Sequence, residues 1–176
     1  MSNILAFAAS NSSTSINHQL VSYVTSLIKD HHVQVIKMTD FPFPMYSADI
    51  EKKEGFSNSM VELNKDIKKM DALIISVNEH NGGLSAYAKN LLDWFSRLDR
   101  QFLSGKKVFL LGASTGRGGA VSAITQAESI LPRFGAEIMD TFSLPSFSHN
   151  FSNGKITDEE SVIELKERLE TFLANI

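Results

Sequence analysis

Hydroxyl and small amide side chains crowd into one stretch, Ser10-Asn11-Ser12-Ser13-Thr14-Ser15-Ile16-Asn17. Such groups donate to phosphate oxygens without bringing bulk. If a helix starts here, its free N–H groups and positive end also attract an anion. The same residue types make an ordinary turn and helix cap, and the stretch's place after the first strand of a doubly wound sheet favours the anion. A second cluster reads Asn78-Glu79-His80-Asn81-Gly82-Gly83-Leu84-Ser85, and a third reads Gly112-Ala113-Ser114-Thr115-Gly116-Arg117-Gly118-Gly119. Glycines in the last let backbone N–H groups approach a ligand closely.

Several other chemistries are excluded. Cysteine is absent, which removes disulfides, thiolate nucleophiles and Cys-ligated zinc or iron–sulfur clusters. His18, His31, His32 and His149 are dispersed without ligand spacing to carboxylates, so no metal site is expected. A hydrolase built on Ser10 or Ser114 with His80 as base lacks both a G-x-S-x-G elbow and an orienting acid. A receiver-type phosphotransfer domain needs an aspartate where Ala8, Ala9 and Ser10 stand. Neither the dinucleotide glycine fingerprint nor a G-x-x-x-x-G-K-[ST] loop occurs.

Net charge is −3, with cations scattered among acids, which argues for a small-molecule partner rather than nucleic acid or an anionic membrane. The amino end lacks a basic n-region and no apolar run is long enough to span a bilayer, so a cytoplasmic address is expected. At 43% hydrophobic residues, one domain over residues 1–176 is expected.

The elements that must hold these clusters follow from periodicity. Asn3–Ala9 is a short apolar run and reads as a strand, and Ser15–Lys29 carries apolar residues at helical spacing. Val33–Met38 alternates like a strand, while Thr39–Phe56, with Pro42 and Pro44, reads as a long connection. Helix is expected from Ser57 to Met70, and Ala72–Val77 is nearly all apolar, as a central parallel strand should be. Helix over Leu84–Leu98, strand over Lys107–Leu111, helix over Val121–Phe134 and a short strand over Ala136–Met139 follow. An irregular piece from Thr141 to Gly154 then leads to Thr157-Asp158-Glu159-Glu160, which caps a closing helix ending near Leu173. Five strands alternating with five helices give a doubly wound parallel sheet of α/β class, with its ligand beyond the carboxyl ends of the strands.

The second cluster, with the Lys89-Asn90-Leu91-Leu92-Asp93-Trp94 segment behind it, resembles the Pro-Glu-Tyr-Asn-Gly-Ser loop and Leu-Lys-Asn-Ala-Ile-Asp-Trp helix of the NADPH-dependent FMN reductase family. Glu79, Asn81, Gly82, Lys89, Asn90, Asp93 and Trp94 stand at matching places. The first cluster is similar to that family's Gly-Ser-x-Arg-x-x-Ser-x-Asn phosphate loop through Ser10, Ser15 and Asn17, with Ser12 in place of arginine. The third resembles Ala-Ser-Pro-Gly-Arg-x-Gly-Gly, with Thr115 for proline.

The resemblance implies a flavodoxin-like sheet of order 2-1-3-4-5 with helices on both faces. It also implies FMN as cofactor, held by Ser10, Ser12, Ser15, Ile16, Asn17, Asn78, Glu79, His80, Asn81, Gly82, Ser114, Thr115, Gly116 and Arg117. The implied reaction is hydride transfer from NADPH or NADH to FMN and on to a small acceptor: free flavin, a quinone, an azo compound or a metal oxyanion. No side chain is nominated as catalytic, because the cofactor carries the chemistry. A homodimer, or a homotetramer of two dimers, is implied, with the helix beginning near Leu84 at the interface. Asn78 and His80 replace the family's proline and tyrosine, and His80 is expected to contact the flavin ring. A non-enzymatic FMN- or anion-binding module or electron carrier on the same scaffold is the competing reading. The lone Trp94 reads as a core residue.

Overall fold

The computed structural model describes residues 1–176. The chain runs β1 (Asn3–Ala8), α1 (Ile16–Ser26), β2 (His32–Val35), a 3-10 turn (Met38–Asp40), α2 (Ala48–Glu54), α3 (Asn58–Lys69) and β3 (Ala72–Val77). A two-stranded hairpin of β4 (Glu79–His80) and β5 (Gly83–Leu84) precedes α4 (Ala86–Leu98) and β6 (Lys106–Ala113). Then come α5 (Val121–Ile130), a 3-10 turn (Leu131–Phe134), β7 (Ala136–Leu144), α6 (Phe147–Asn150), β8 (Phe151–Ser152), β9 (Lys155–Ile156) and α7 (Glu159–Ala174).

The main sheet has the order β2-β1-β3-β6-β7, and every neighbouring pair is parallel. This is the flavodoxin-like 2-1-3-4-5 order counted over the five main strands. The chain leaves β1 for one neighbour and returns through β3 on the other side, so the loops after β1 and β3 diverge and open a crevice between them.

Strand residues alternate between two apolar layers because a strand has a side-chain period of two. Leu5, Phe7, Leu73, Ile75, Val108 and Leu110 face α3, α4 and α5. Ile4, Ala6, Ile74, Phe109 and Leu111 face α1 and α7, where Phe109 stacks on Phe172 with centroids 5.5 Å apart. Serines and an aspartate start the helices: Ser15, Ser47, Ser57, Ser85 and Asp158 each accept a hydrogen bond from a first-turn amide, satisfying donors the helix leaves free.

Several expectations need correction, among them the second strand, which ends at Val35 rather than Met38, where a 3-10 turn begins. The connection Thr39–Phe56 is not all loop, since Ser47 caps the seven-residue α2 behind the two prolines. The last strand runs to Leu144 rather than Met139; Val108 pairs with Ile138 but Phe109 with Asp140, so Met139 is an extra residue that shifts the register and breaks the alternation. The piece from Thr141 to Gly154 holds the end of β7, α6 and the start of a small β8–β9 hairpin. Leu84 belongs to the β4–β5 hairpin rather than to α4, and the helix from Val121 tightens into a 3-10 turn at Pro132 before reaching Phe134.

Candidate functional site

Three loops meet at the carboxyl ends of β1, β3 and β6. They enclose an open cleft of ≈ 320 Å³ lined by Ser10, Ser12, Thr14, Ser15, Ile16 and Asn17 from the first, Asn78, Glu79 and His80 from the second, and Ala113, Ser114 and Thr115 from the third. That size lies within the range of ligand pockets.

In the first loop, Ser10 Oγ accepts from Ser12 N at 3.3 Å and Ser15 Oγ accepts from His18 N at 3.2 Å. These bonds curl the loop over the start of α1 and leave the amides of Asn11, Ser13, Ile16 and Asn17 without a protein partner. Asn17 itself is buried, 2% exposed, and its side chain is fully committed. Its Oδ1 accepts from Ser76 Oγ at 2.7 Å and Ala113 N at 2.9 Å, and its Nδ2 donates to Ala113 O at 3.1 Å. Asn17 therefore ties α1 to β3 and β6, and only its backbone N–H faces a ligand role.

The second loop is an ordered hairpin. Asn81 and Gly82 sit at its tip with φ of 54° and 75°, the positive values that a two-residue turn needs and that Asn-Gly supplies. They do not line the cleft. Asn78 closes the base through a directional chain: Ala88 N–H donates to Ser85 Oγ (3.1 Å), and Ser85 O–H donates to Asn78 Oδ1 (2.9 Å). Asn78 Nδ2 is then left to donate to His80 Nε2 at 3.2 Å, which makes Nδ1 the imidazole's donor. Two side-chain contacts fasten the hairpin to α5: Glu79 Oε2 accepts from Ala123 N (3.2 Å) and Gln126 Oε1 accepts from Leu84 N (2.9 Å).

The third loop is braced from behind by the segment after β7. Ser146 N donates to Gly116 O at 2.8 Å, Phe147 N to Ser114 O at 3.0 Å, and Ser143 Oγ to Gly119 O at 2.8 Å. The amides from Thr115 to Gly118 have no protein acceptor. Gly116 and Arg117 are exposed beside the cleft without lining it, and Arg117 makes no ion pair. A Cβ on Gly119, where φ is +58°, would lie 2.1 Å from Ser143 Oγ, so the turn into α5 needs glycine.

Beside the cleft, and sharing Asn78 and His80 with it, a second opening of ≈ 330 Å³ is walled by Asn11, Phe43, Met45, Tyr87 and Asn90. The Asn90 and Trp94 pair, one turn apart on α4, builds that wall. Asn90 Nδ2 (3.0 Å) and Trp94 Nε1 (2.8 Å) both donate to Pro44 O, and Asn90 Oδ1 accepts from Tyr46 N at 2.7 Å. Tyr87 donates to Met38 O and Phe41 O, and burial pushes its hydroxyl up to about 12, so it clamps the chain rather than acting as an acid. Phe43, Met45 and Gln126 escaped the sequence reading, because nothing local marks a residue brought in by a distant carbonyl clamp or by a helix face. Thr14 and Asn11 were visible within the hydroxyl-rich stretch.

The cleft fits a flavin nucleotide on its own chemistry. Free amides at the first loop suit an anion, and free amides in the third loop suit the acceptor-rich edge of a heteroaromatic ring.

The family model for NADPH-dependent FMN reductases matches residues 2–150. A quinone reductase of Escherichia coli (strain K12) is 33% identical over 97 residues, 55% of this chain and 52% of the relative. The NAD(P)H-dependent FMN reductase PA1204 of Pseudomonas aeruginosa is 36% identical over 80 residues, 46% of this chain and 43% of the relative. The chain thus spans about half the length of the curated relatives it matches. Among solved structures, the flavoenzyme NAD(P)H:(acceptor) oxidoreductase FerB from Paracoccus denitrificans superposes with a TM-score of 0.79 at 22% identity, covering 99% of this chain and 96% of that one. The apo form of the NADH:FMN oxidoreductase EMOB superposes with a TM-score of 0.70 at 16% identity, covering 100% and 90%. These two likenesses establish the shared fold.

Proposed function

The chain belongs to the NADPH-dependent FMN reductase family, and on that premise we propose that it is an NAD(P)H-dependent oxidoreductase that binds FMN in the three-loop cleft and reduces a small acceptor. The observation that carries this reading is the convergence of all three loops on one cleft, with unpaired backbone donors in the first and third loops.

When bound, FMN supplies the two-electron chemistry between NADPH or NADH and the acceptor. The first loop binds the phosphate through the amides of Asn11, Ser13, Ile16 and Asn17 and the hydroxyls of Ser10, Ser12 and Ser15. The third-loop amides, with Ser114 and Thr115 at the cleft wall, orient the ring's polar edge. Asn78 and His80 form the partition between the cleft and the neighbouring opening, where His80 presents Nδ1–H. Phe43, Met45 and Tyr87 supply an apolar wall for a flat second substrate, quinone or nicotinamide. Asn81, Gly82, Gly116 and Arg117 hold turns or rim the site.

No helix is long and apolar enough to cross a membrane.

Steady-state rates with NADPH and a benzoquinone varied together test the proposal. Parallel double-reciprocal lines are expected for alternating reduction and reoxidation, and no turnover with quinone, azo dye, free flavin or chromate would refute it.

A further inference from the structure

We propose that a second pocket, on the β2 side of the first loop, is a phosphomonoester site whose positive charge comes from Lys37. The inference rests on the flavin-nucleotide reading above. A phosphate monoester is close to a dianion at neutral pH, yet Ser10 to Asn17 contains no charged side chain. Amides and hydroxyls alone must then neutralise it, unless a cation reaches the loop from elsewhere.

One cation does. Ser10 and Ser12 line both the wide cleft and a small pocket of ≈ 50 Å³ whose other polar walls are Ser13, His18, Lys37 and Thr39. The chain beyond β2 stays hydrogen-bonded to β1 through Ile36 N to Ala6 O at 3.0 Å. This delivers Lys37 beside Ala8, where the first loop begins. Lys37 is exposed, makes no ion pair and donates no side-chain hydrogen bond.

His18, in the first turn of α1, shares the pocket. Burial, followed by the nearby charge of Lys37, holds its imidazole below the ordinary histidine value, against the pull of Asp40. Near neutral pH the standing charge is therefore that of Lys37, with His18 as a neutral hydrogen-bonding wall. Asp40 is the acid facing His18; it lies outside the pocket lining and accepts from Thr39 Oγ1 at 3.3 Å.

The phosphate can belong to FMN or to the adenosine 2′-position of NADPH. Apo protein is titrated with FMN, riboflavin, NADPH and NADH, following flavin or nicotinamide fluorescence, for wild type, Lys37→Gln and Lys37→Arg. A charge-assisted contact of this kind predicts that Lys37→Gln weakens one phosphorylated ligand about tenfold to a hundredfold and spares its unphosphorylated counterpart, while Lys37→Arg retains most of the affinity. Loss for FMN and not riboflavin assigns the pocket to the flavin phosphate; loss for NADPH and not NADH assigns it to the 2′-phosphate. Equal binding of all four ligands by wild type and Lys37→Gln overturns the proposal. If wild type binds no flavin at all, the reductase reading fails separately. Inorganic phosphate then decides the pocket: a rise in wild-type Tm that is absent in Lys37→Gln supports it, and any other pattern rejects it.

Discussion

Asn17 Oδ1 accepts the hydroxyl proton of Ser76 at 2.7 Å, across 59 positions of sequence, inside a region that excludes water. Ser76 is the polar residue of a strand buried along its whole length. Asn17 also takes both backbone groups of Ala113, the last residue of β6. The pair thus fixes the origin of the first and third loops relative to the end of β3. Truncating either partner leaves buried polar groups unpaired. Asn17→Ala should cost about 1–3 kcal/mol in urea unfolding, and its flavin affinity should fall further than that of Ser76→Ala, which leaves the Ala113 contacts in place.

Gln126 should act as a positioning residue for the hairpin that carries His80. Its Oε1 is the acceptor for Leu84 N, so Gln126→Ala frees one anchor while the Glu79 to Ala123 contact remains. The expected result is faster amide exchange at Leu84 with a global stability change under about 1.5 kcal/mol; Gln126→Glu, which keeps the acceptor, should restore protection.

Gly119→Ala should be poorly tolerated. A methyl group there meets Ser143 Oγ at 2.1 Å at a positive φ, so a loss of about 1–3 kcal/mol is expected in thermal or urea unfolding. The double variant Gly119→Ala, Ser143→Gly removes the contact with Ser143 Oγ but neither the positive φ nor the 3.1 Å approach to Pro145 N, and should recover only part of the loss.

The sole tryptophan reports the wall of the second opening. Trp94→Phe removes the indole donor to Pro44 O but keeps the ring contacts with Tyr46 (centroids 5.1 Å apart) and Phe56 (6.0 Å). A loss of about 1 kcal/mol, followed by circular dichroism, is expected. Limited proteolysis should show earlier cleavage near Met45.

Acid stability should depend on Asp158. Hydrogen bonds from the Ser161 hydroxyl and then the Ser161 amide hold its carboxyl below the ordinary value of 3.8. Because the folded pKa is the lower one, its stabilisation is present above the unfolded value and is lost as pH falls through the folded value. Asp158→Asn should therefore flatten the fall of Tm as pH drops below the ordinary carboxyl value of 3.8, a change that a Tm–pH series detects.

Much of the frame was legible because local and global signals agree. Ala72–Val77 is apolar on both faces and forms the central strand, and Ser57 and Asp158 begin their helices as their types suggest. The last strand was cut short because the extra residue Met139 shifts the phase, and because Asp140, Thr141 and Ser143 on an edge strand look like loop; Arg168 of α7 pairs with Asp140 at 2.7 Å. Helix α2 was hidden behind two prolines and has no fully buried residue. At the site, the three loops were found from residue types, whereas the commitment of Asn17 to the backbone, the hairpin-tip role of Asn81 and Gly82, and the wall at Phe43 and Met45 depend on contacts between distant segments.

The central claim, that this cleft carries a flavin reducible by a nicotinamide, is tested most directly by anaerobic titration of FMN-loaded protein with NADPH and with NADH while the long-wavelength flavin absorbance is followed. Stoichiometric bleaching by at least one nicotinamide is the expected result. A protein that holds FMN yet keeps its full absorbance in excess of both would contradict the claim.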